Sequence, residues 1–527
     1  MSSQTSKQIS YVVAQQFKEG FYEPSPTLGY VFIGKHTAYA DEANPSNIND
    51  TIYDEKSTWD NMYAAKRITG NDVELVIPKV TWTSNTKYKQ YDDKISIRDL
   101  IEPDPAANIK PFYVYTSQRN VYKCLSNNAS ANSTVEPFGD YTSSNGNIAT
   151  SDGYLWKYMY SVKPSNRFLA DLWIPVPDST SLLDYSVSPL GVIDGELASI
   201  VVTNKGTGYY ENKIRVLPTF SAGCTTLVLA NTTNVAANMY VSGTGLAPQT
   251  YIVQKQTYPG NGVNSIDIST PAIAAGGGNT EPTQLTLTTR VFVEGDGTSI
   301  VASPVVSAGD VANANITKVT VSTIGQGYSR ANAFVYGTGT GATLRTILDP
   351  KYGHAHNPAK ELGANSVMVT VRIGEIESTE GGLIPANTTF RQYGILVDPH
   401  KYGQSNVVSP TSANSVVTQA TLIDLVTGPA YYQDEFIYQG VSPSTATAYG
   451  YALDQPTANR LRLTNVIGNF TVGAPLIGAS SGSSRLVINS TPPDFQPYSG
   501  AVLHTENVTK VTRADGQAEN IKLIVRL

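Results

Sequence analysis

The chain is 527 residues long, and only 15% of them are Asp, Glu, Lys or Arg, against about 25% in an average globular protein. With 37 basic and 43 acidic side chains the net charge is −6, which argues against the basic footprint of a nucleic-acid binder. Two cysteines, Cys124 and Cys224, exclude a disulfide-stapled scaffold and a multi-cysteine zinc cluster. The length sets a prior of three or four domains, and 43 Gly with 30 Pro fall short of the ~25–30% typical of low-complexity chains. Met1 to Ser10 lack the apolar centre of a secretory signal, and no apolar run reaches the ~18–20 residues of a membrane span. The expected setting is a cytosol, or a particle assembled there.

All four tryptophans, Trp59, Trp82, Trp156 and Trp173, lie in the first third. They mark 1–190 as an N-terminal α+β core. Ile9, Val12, Val13 and Phe17 recur at helical spacing, with Gly20 as the stop. Tyr30–Ile33 reads as a buried strand. Ser57-Thr58-Trp59-Asp60 fits a capping box opening a second helix, with Met62 and Tyr63 on its apolar face. Pro78 closes the apolar run 73–77. Strands are expected at 112–115, 121–125 and 154–162, where Tyr154, Trp156, Tyr158 and Tyr160 alternate onto one face.

From 191 to 345 the texture changes to short β-runs punctuated by glycine, read as inserted β-modules. The run 200–203 leads to Gly206-Thr207-Gly208-Tyr209, and 319–322 leads to Gly325-Gln326-Gly327-Tyr328 in the same register. Each is followed by a further run, at 214–217 and 334–336, which predicts a repeated hairpin turned by G-x-G-Y. Residues 346–416 return to the core, with a short helix at 358–362 and strands at 366–371 and 391–397. A second inserted β-module spans 417–495. The segment 496–527 ends in a C-terminal core strand over 521–525. The fold class expected is α+β and β-rich, a discontinuous mixed core carrying small inserted β-sandwich or β-barrel-like modules.

Several motifs invite chemistry and meet a simpler structural account. Gly478-Ala479-Ser480-Ser481-Gly482 fits G-x-S-x-G, with Asp494 and His504 downstream, but a strand at 485–488 follows where the nucleophile elbow needs a helix. Gly337 to Ala342 fits the dinucleotide fingerprint, but Asp349-Pro350 cuts off the required helix. His354, His356 and Glu361 are too few for a tetrahedral metal site. Asp92-Asp93, and Glu102 with Asp104, are carboxylate pairs of the kind glycosidases use, although adjacent acids tend to face opposite ways on a solvated edge. Tyr431-Tyr432 and Tyr113/Tyr115 suit either sugar stacking or protein interfaces. No catalytic, cofactor-binding or metal-binding residue is assigned, no cofactor is expected, and the expected class is not an enzyme.

Along the core, short strings occur in a family-like order. They are Trp59-Asp60-Asn61-Met62, Val76-Ile77-Pro78 with Trp82 and Tyr88, Val121–Leu125, Thr134–Pro137 and Asp152–Tyr158. Later come Gly353-His354, Lys360–Gly363, Phe390-Arg391-Gln392, Thr505-Glu506-Asn507, Val511–Asp515 and Glu519–Leu523. In this order the sequence resembles the baseplate wedge subunit family (gene product eight) of T-even-type contractile-tailed bacteriophages, over roughly 1–190, 346–415 and 496–527. The stretches 191–345 and 417–495 look like the added β-modules of longer, cyanophage-type relatives. The ending Val525-Arg526-Leu527 departs from the family's aromatic final strand. The resemblance implies a non-enzymatic virion component of the viral tail, a homodimer within each wedge that binds other baseplate wedge proteins. It would be assembled in the host cytoplasm and take part in the contraction-triggering switch. A carbohydrate-binding tail protein for host-surface recognition is the alternative, based on the Gly-turn β-modules and the tyrosine patches.

Overall fold

Low charge, frequent β-branched residues and regular glycine punctuation favour many short strands over long helices. A computed structural model describes residues 8–23, 27–34, 37–142, 146–178, 192–215, 219–257, 264–276, 284–307, 313–373, 388–405, 416–513 and 519–527. Strand accounts for 46% and helix for 8%, so the protein is a β-rich α+β fold. Leu217, Ala514 and Asp515, used in the sequence reading, lie outside the described residues. Two compact units share the chain: one takes Pro78–Asn166 and Pro177–Gly363, the other Gln8–Ile77, Arg167–Val176 and Ala364–Leu527.

The second unit contains a five-stranded antiparallel sheet in the order Val416–Thr418, Met62–Arg67, Gly29–Gly34, Thr389–Val397, Ala501–Thr512. Tyr30, Phe32, Trp59, Met62, Leu396 and Phe495 pack into one core against it. A four-stranded sheet runs Trp173–Pro175, Val73–Pro78, Ser366–Ile373, Glu519–Arg526. Its last strand pairs along its whole length, from Ser366↔Arg526 to Ile373↔Glu519, so the non-aromatic ending still completes the sheet. Residues 421–491 form a closed six-stranded barrel around Ile423, Leu425, Ile437, Leu461, Leu463, Leu476 and Val487. Closure leaves no unpaired edge.

One helical expectation is met and the other needs correction. The first helix, Gln8–Glu19, forms, but Tyr11, Ala14 and Lys18 are its buried positions, while Ile9, Val12 and Val13 are exposed. Lys18 is held inside by Glu74 at 2.6 Å, so the buried side of the helix includes a paired charge. The second helix is Ile52–Asn61, capped by Thr51, whose hydroxyl accepts from the Asp54 N–H. The Ser57–Asp60 box therefore lies inside that helix, and Met62 and Tyr63 begin a strand instead of lining a helical face. Thr51 with Asp54 is the stronger start signal because the acid also faces the positive helix end.

In the first unit, a four-stranded sheet (Tyr113–Tyr115, Asn120–Ser126, Leu155–Ser161, Asn147–Ala149) packs Val114, Tyr122, Cys124, Trp156 and Tyr158 on one face. The opposite face carries Lys123 and Lys157, cross-strand partners in register. Beyond it lies the module with the repeated G-x-G-Y, and here the hairpin expectation fails. The strands flanking each motif do not pair with each other. Ser199–Thr207 pairs with Thr340–Ile347, Val301–Val306 with Ile316–Thr323, and Arg290–Gly295 with Ala331–Tyr336.

These six strands are two copies of a three-stranded unit, each strand bonded to the other copy. Ser199↔Ile347 in one ladder corresponds to Val305↔Lys318 in the other, and Thr207↔Thr340 to the Thr298↔Gln326 bridge. Tyr209 N–H donates to Ala314 O at 3.0 Å and Tyr328 N–H to Gly195 O at 3.2 Å, again equivalent. Each tyrosine is buried over glycines that have no room for a side chain. A Cβ on Gly206, Gly337 or Gly339 would meet the Tyr209 ring within 3.0 Å, and one on Gly325, Gly295 or Gly297 the Tyr328 ring. The glycines thus admit an aromatic lid and do not form a hairpin turn. Between Asn212 and Thr288 the first copy alone carries two three-stranded sheets with their own core, including Leu227, Leu229, Met239, Ile252, Ile266 and Leu287.

Candidate functional site

The densest collection of titratable groups is buried in the first unit. Lys123, fully buried, pairs with Glu361, whose oxygens also accept from the Ala355 and Asn357 N–H groups. Lys157 pairs with Glu196 at 3.1 Å, and Asn147 adds a hydrogen bond to the same carboxylate. Asp349 accepts from the Gly195 and Glu196 N–H groups at 2.9 and 3.0 Å. Tyr91 lies beneath the Lys123 ammonium, 4.8 Å from ring centroid to nitrogen, and edge-on to His354. His354 is buried, its Nδ1 has no hydrogen-bond partner, and the nearest carboxylate oxygen, on Glu361, is 4.0 Å away.

Burial pulls the Lys123 ammonium below its ordinary value, against the opposing pull of Glu361. Burial likewise raises Glu196, opposed by Lys157, and pushes Asp349 up to about 6. His354 is held well below 6.5 by burial and then by the Lys123 and Lys157 charges. Each lysine has a carboxylate within contact, and no group of three metal-ligating side chains occurs among the described residues. The cluster therefore works as a clamp: Glu196 and Asp349 stand at the entrance and exit of the module 199–347, and both are tied, directly or through Glu196, to the Lys123/Lys157 sheet.

This clamp gives a pH signature. An unfolded histidine takes a proton below about 6.5 while folded His354 resists it, so its contribution to stability falls as the pH drops below that value. Asp349 acts oppositely: its raised folded value contributes stability below about 3.8 that is lost as the pH rises through about 6. Comparing melting temperatures of wild type and His354→Gln isolates the first effect. The variant is expected to gain on wild type between pH 7 and pH 5, and a constant difference would refute the assignment.

The motifs noted in the sequence are scattered. Ser480 and Ser481 occupy the turn between Pro475–Gly478 and Ser484–Thr491, where both N–H groups donate to Glu435. Asp494 accepts from Thr418 N–H and His504 bonds to Glu506, so neither partners Ser480. Gly337–Ala342 leads into the strand Thr340–Ile347 instead of a phosphate-binding helix. His356 is exposed and His354 buried, so the two do not share a face. Asp92 and Asp93, expected to diverge, both bind Arg345, because one guanidinium can bridge successive acids. Glu102 pairs with Arg98 on a helix surface and Asp104 caps a turn. Tyr113 and Tyr115 are buried in their sheet, which removes them as stacking surfaces; of Tyr431 and Tyr432 only the second is exposed.

What the sequence did not single out is a surface. On the barrel strand Ser484–Thr491, Arg485 and Val487 point inward while Leu486 and Ile488 face solvent. Val426 N–H donates to Leu486 O and Gly473 N–H to Val487 O, which places Val426 and Val472 beside them. Val426, Val472, Leu486 and Ile488 are 44, 60, 46 and 55% exposed, a contiguous apolar patch of the kind that marks interaction sites. Ile9, Val12 and Val13 form a second exposed apolar stripe on the first helix. Period-2 spacing of Leu486 and Ile488 was the available signal, hidden because Val487 between them makes an unbroken apolar run. No helix among the described residues is long and apolar enough to cross a membrane. No family model matches the chain, and no curated protein matches it.

Proposed function

We propose that the protein is a structural subunit of a baseplate wedge in a contractile phage tail. It would be carried in the virion after assembly in the host cytoplasm, and would join neighbouring wedge proteins and a second copy of itself. The observation that carries this reading is the apolar outer face of the barrel, where four aliphatic side chains stand in water although the barrel interior is already filled. The order of the core strings that resemble the wedge family supports it. So does the low charge, since few ions then need desolvating when surfaces meet. Lys123 and Lys157 of the clamp are buried and paired with Glu361 and Glu196, a structural use of their charges.

The test is sedimentation velocity of the full chain mixed with the candidate wedge neighbours of the same phage. A complex at micromolar concentration is expected; its absence would overturn the proposal. Leu486→Asp with Ile488→Asp should abolish the complex at a stability cost of about 1–2 kcal/mol, from two aspartates placed in a strand.

A further inference from the structure

In the second unit, the end of the helix Ile52–Asn61, the barrel strand Arg460–Ile467 and the segment leaving the barrel enclose a cleft of about 410 Å³. That is within the ~300–1,000 Å³ of small-molecule sites. Its lining includes Asp60, Tyr402, Asn465, Asn469, Ser490 and Tyr498, above the buried Trp59.

Three features set this cleft apart from an ordinary surface crevice. First, Asn465 and Tyr498 both adopt left-handed backbone conformations, at φ of 51° and 62°. Asparagine tolerates this, but for a bulky tyrosine it is an outlier of the kind that collects at ligand sites. Second, Tyr498 is fixed, since its hydroxyl donates to Asp60 Oδ1 at 2.5 Å, yet its side chain and that of Tyr402 remain 54 and 41% exposed. Third, three polar side chains of the lining have unmet hydrogen-bonding capacity. Asn465 Oδ1 is buried with none, and the side chains of Asn469 and Ser490 make no hydrogen bond to the described residues.

The charges decide the ligand class. No lysine, arginine or histidine lines the cleft, and its one charged group is the Asp60 carboxylate. A phosphate or a sialic acid would meet repulsion and no counter-charge. Amides, a hydroxyl and one carboxylate supply donors and acceptors for vicinal hydroxyls, and tyrosine faces pack on the C–H faces of a sugar ring. We propose that this cleft binds a neutral saccharide of one or two residues. The cleft shares no lining residue with the four aliphatic side chains of the barrel patch, so a failure of the assembly reading leaves it standing.

The full chain is titrated with methyl α-glucoside, maltose and N,N′-diacetylchitobiose, with glucose 6-phosphate and N-acetylneuraminic acid as anionic counterparts. Binding is followed by calorimetry and by tryptophan fluorescence, to which Trp59 contributes. At least one neutral sugar should saturate below about 10 mM, and Tyr402→Ala and Asn469→Ala should each weaken it about tenfold. Both substitutions are at exposed or open positions, and an unchanged sugar-free tryptophan emission spectrum, to which the buried Trp59 of the same unit contributes, verifies folding. The proposal is overturned if no neutral sugar saturates, if the anionic sugars bind as well, or if the variants bind like wild type.

Discussion

Lys123→Met is expected to destabilise the first unit by about 3–5 kcal/mol, because it leaves the Glu361 carboxylate charged and buried without its ion partner. Two backbone N–H groups still serve Glu361, so the loss stops short of a fully orphaned charge. Lys123→Met/Glu361→Gln should recover at least half of the loss, since no charge then remains to be desolvated. The readout is built into the chain. Cys124 is completely buried in the strand that carries Lys123, while Cys224 is partly exposed in the loop before the strand Thr226–Leu229. Thiol labelling of Cys124 in increasing urea reports opening of that sheet alone, with Cys224 as the internal reference. Equal protection of Cys124 in wild type and single variant would show that the pair contributes nothing.

Tyr328→Ala and Tyr209→Ala should each cost about 3–5 kcal/mol, the range for deleting a buried aromatic ring. The reason is specific to these sites: three glycines surround each ring, so no neighbouring side chain can swing in to fill the space. The matching registers of the two copies predict similar losses. The hydroxyls differ. Tyr209 Oη accepts from Ala342 N–H at 3.3 Å, so Tyr209→Phe should cost about 1 kcal/mol, whereas Tyr328→Phe should be close to neutral. Hydrogen exchange at 199–207 and 340–347 for Tyr209, and at 301–306 and 316–323 for Tyr328, would locate the damage. A cost for Tyr328→Ala below about 1 kcal/mol would refute the lid assignment.

The β-rich class was readable from composition, alternation and glycine spacing, because those signals are local; whether the module expected at 417–495 is a sandwich or a barrel was not, because strand order depends on distant pairings. The G-x-G-Y repeat was also visible, but its pairing was not. A second repeated string, Phe292-Val293-Glu294-Gly295-Asp296-Gly297-Thr298 and Phe334-Val335-Tyr336-Gly337-Thr338-Gly339-Thr340, would have revealed the duplication. It escaped notice because only the first copy carries the insertion at 212–288, which breaks the period. Lys123 and Lys157 were unreadable as buried, since their carboxylates come from Glu361 and Glu196, far along the chain. The first helix was readable from its spacing and the Gly20 stop, although that spacing does not tell that its apolar stripe faces solvent.

The exchange of strands between the two copies also governs how the chain emerges from the ribosome. Ser199–Thr207 finds its ladder only in Thr340–Ile347, so it waits unpaired until nearly the whole module has been synthesised. The insertion, whose pairings are all internal, can settle first and draw residues 211 and 289 together, shortening the loop that remains to be closed. Its presence in the first copy only thus has a kinetic use: a pre-folded spacer shortens the wait of an exposed strand at the stage when it is most prone to pair with another nascent chain.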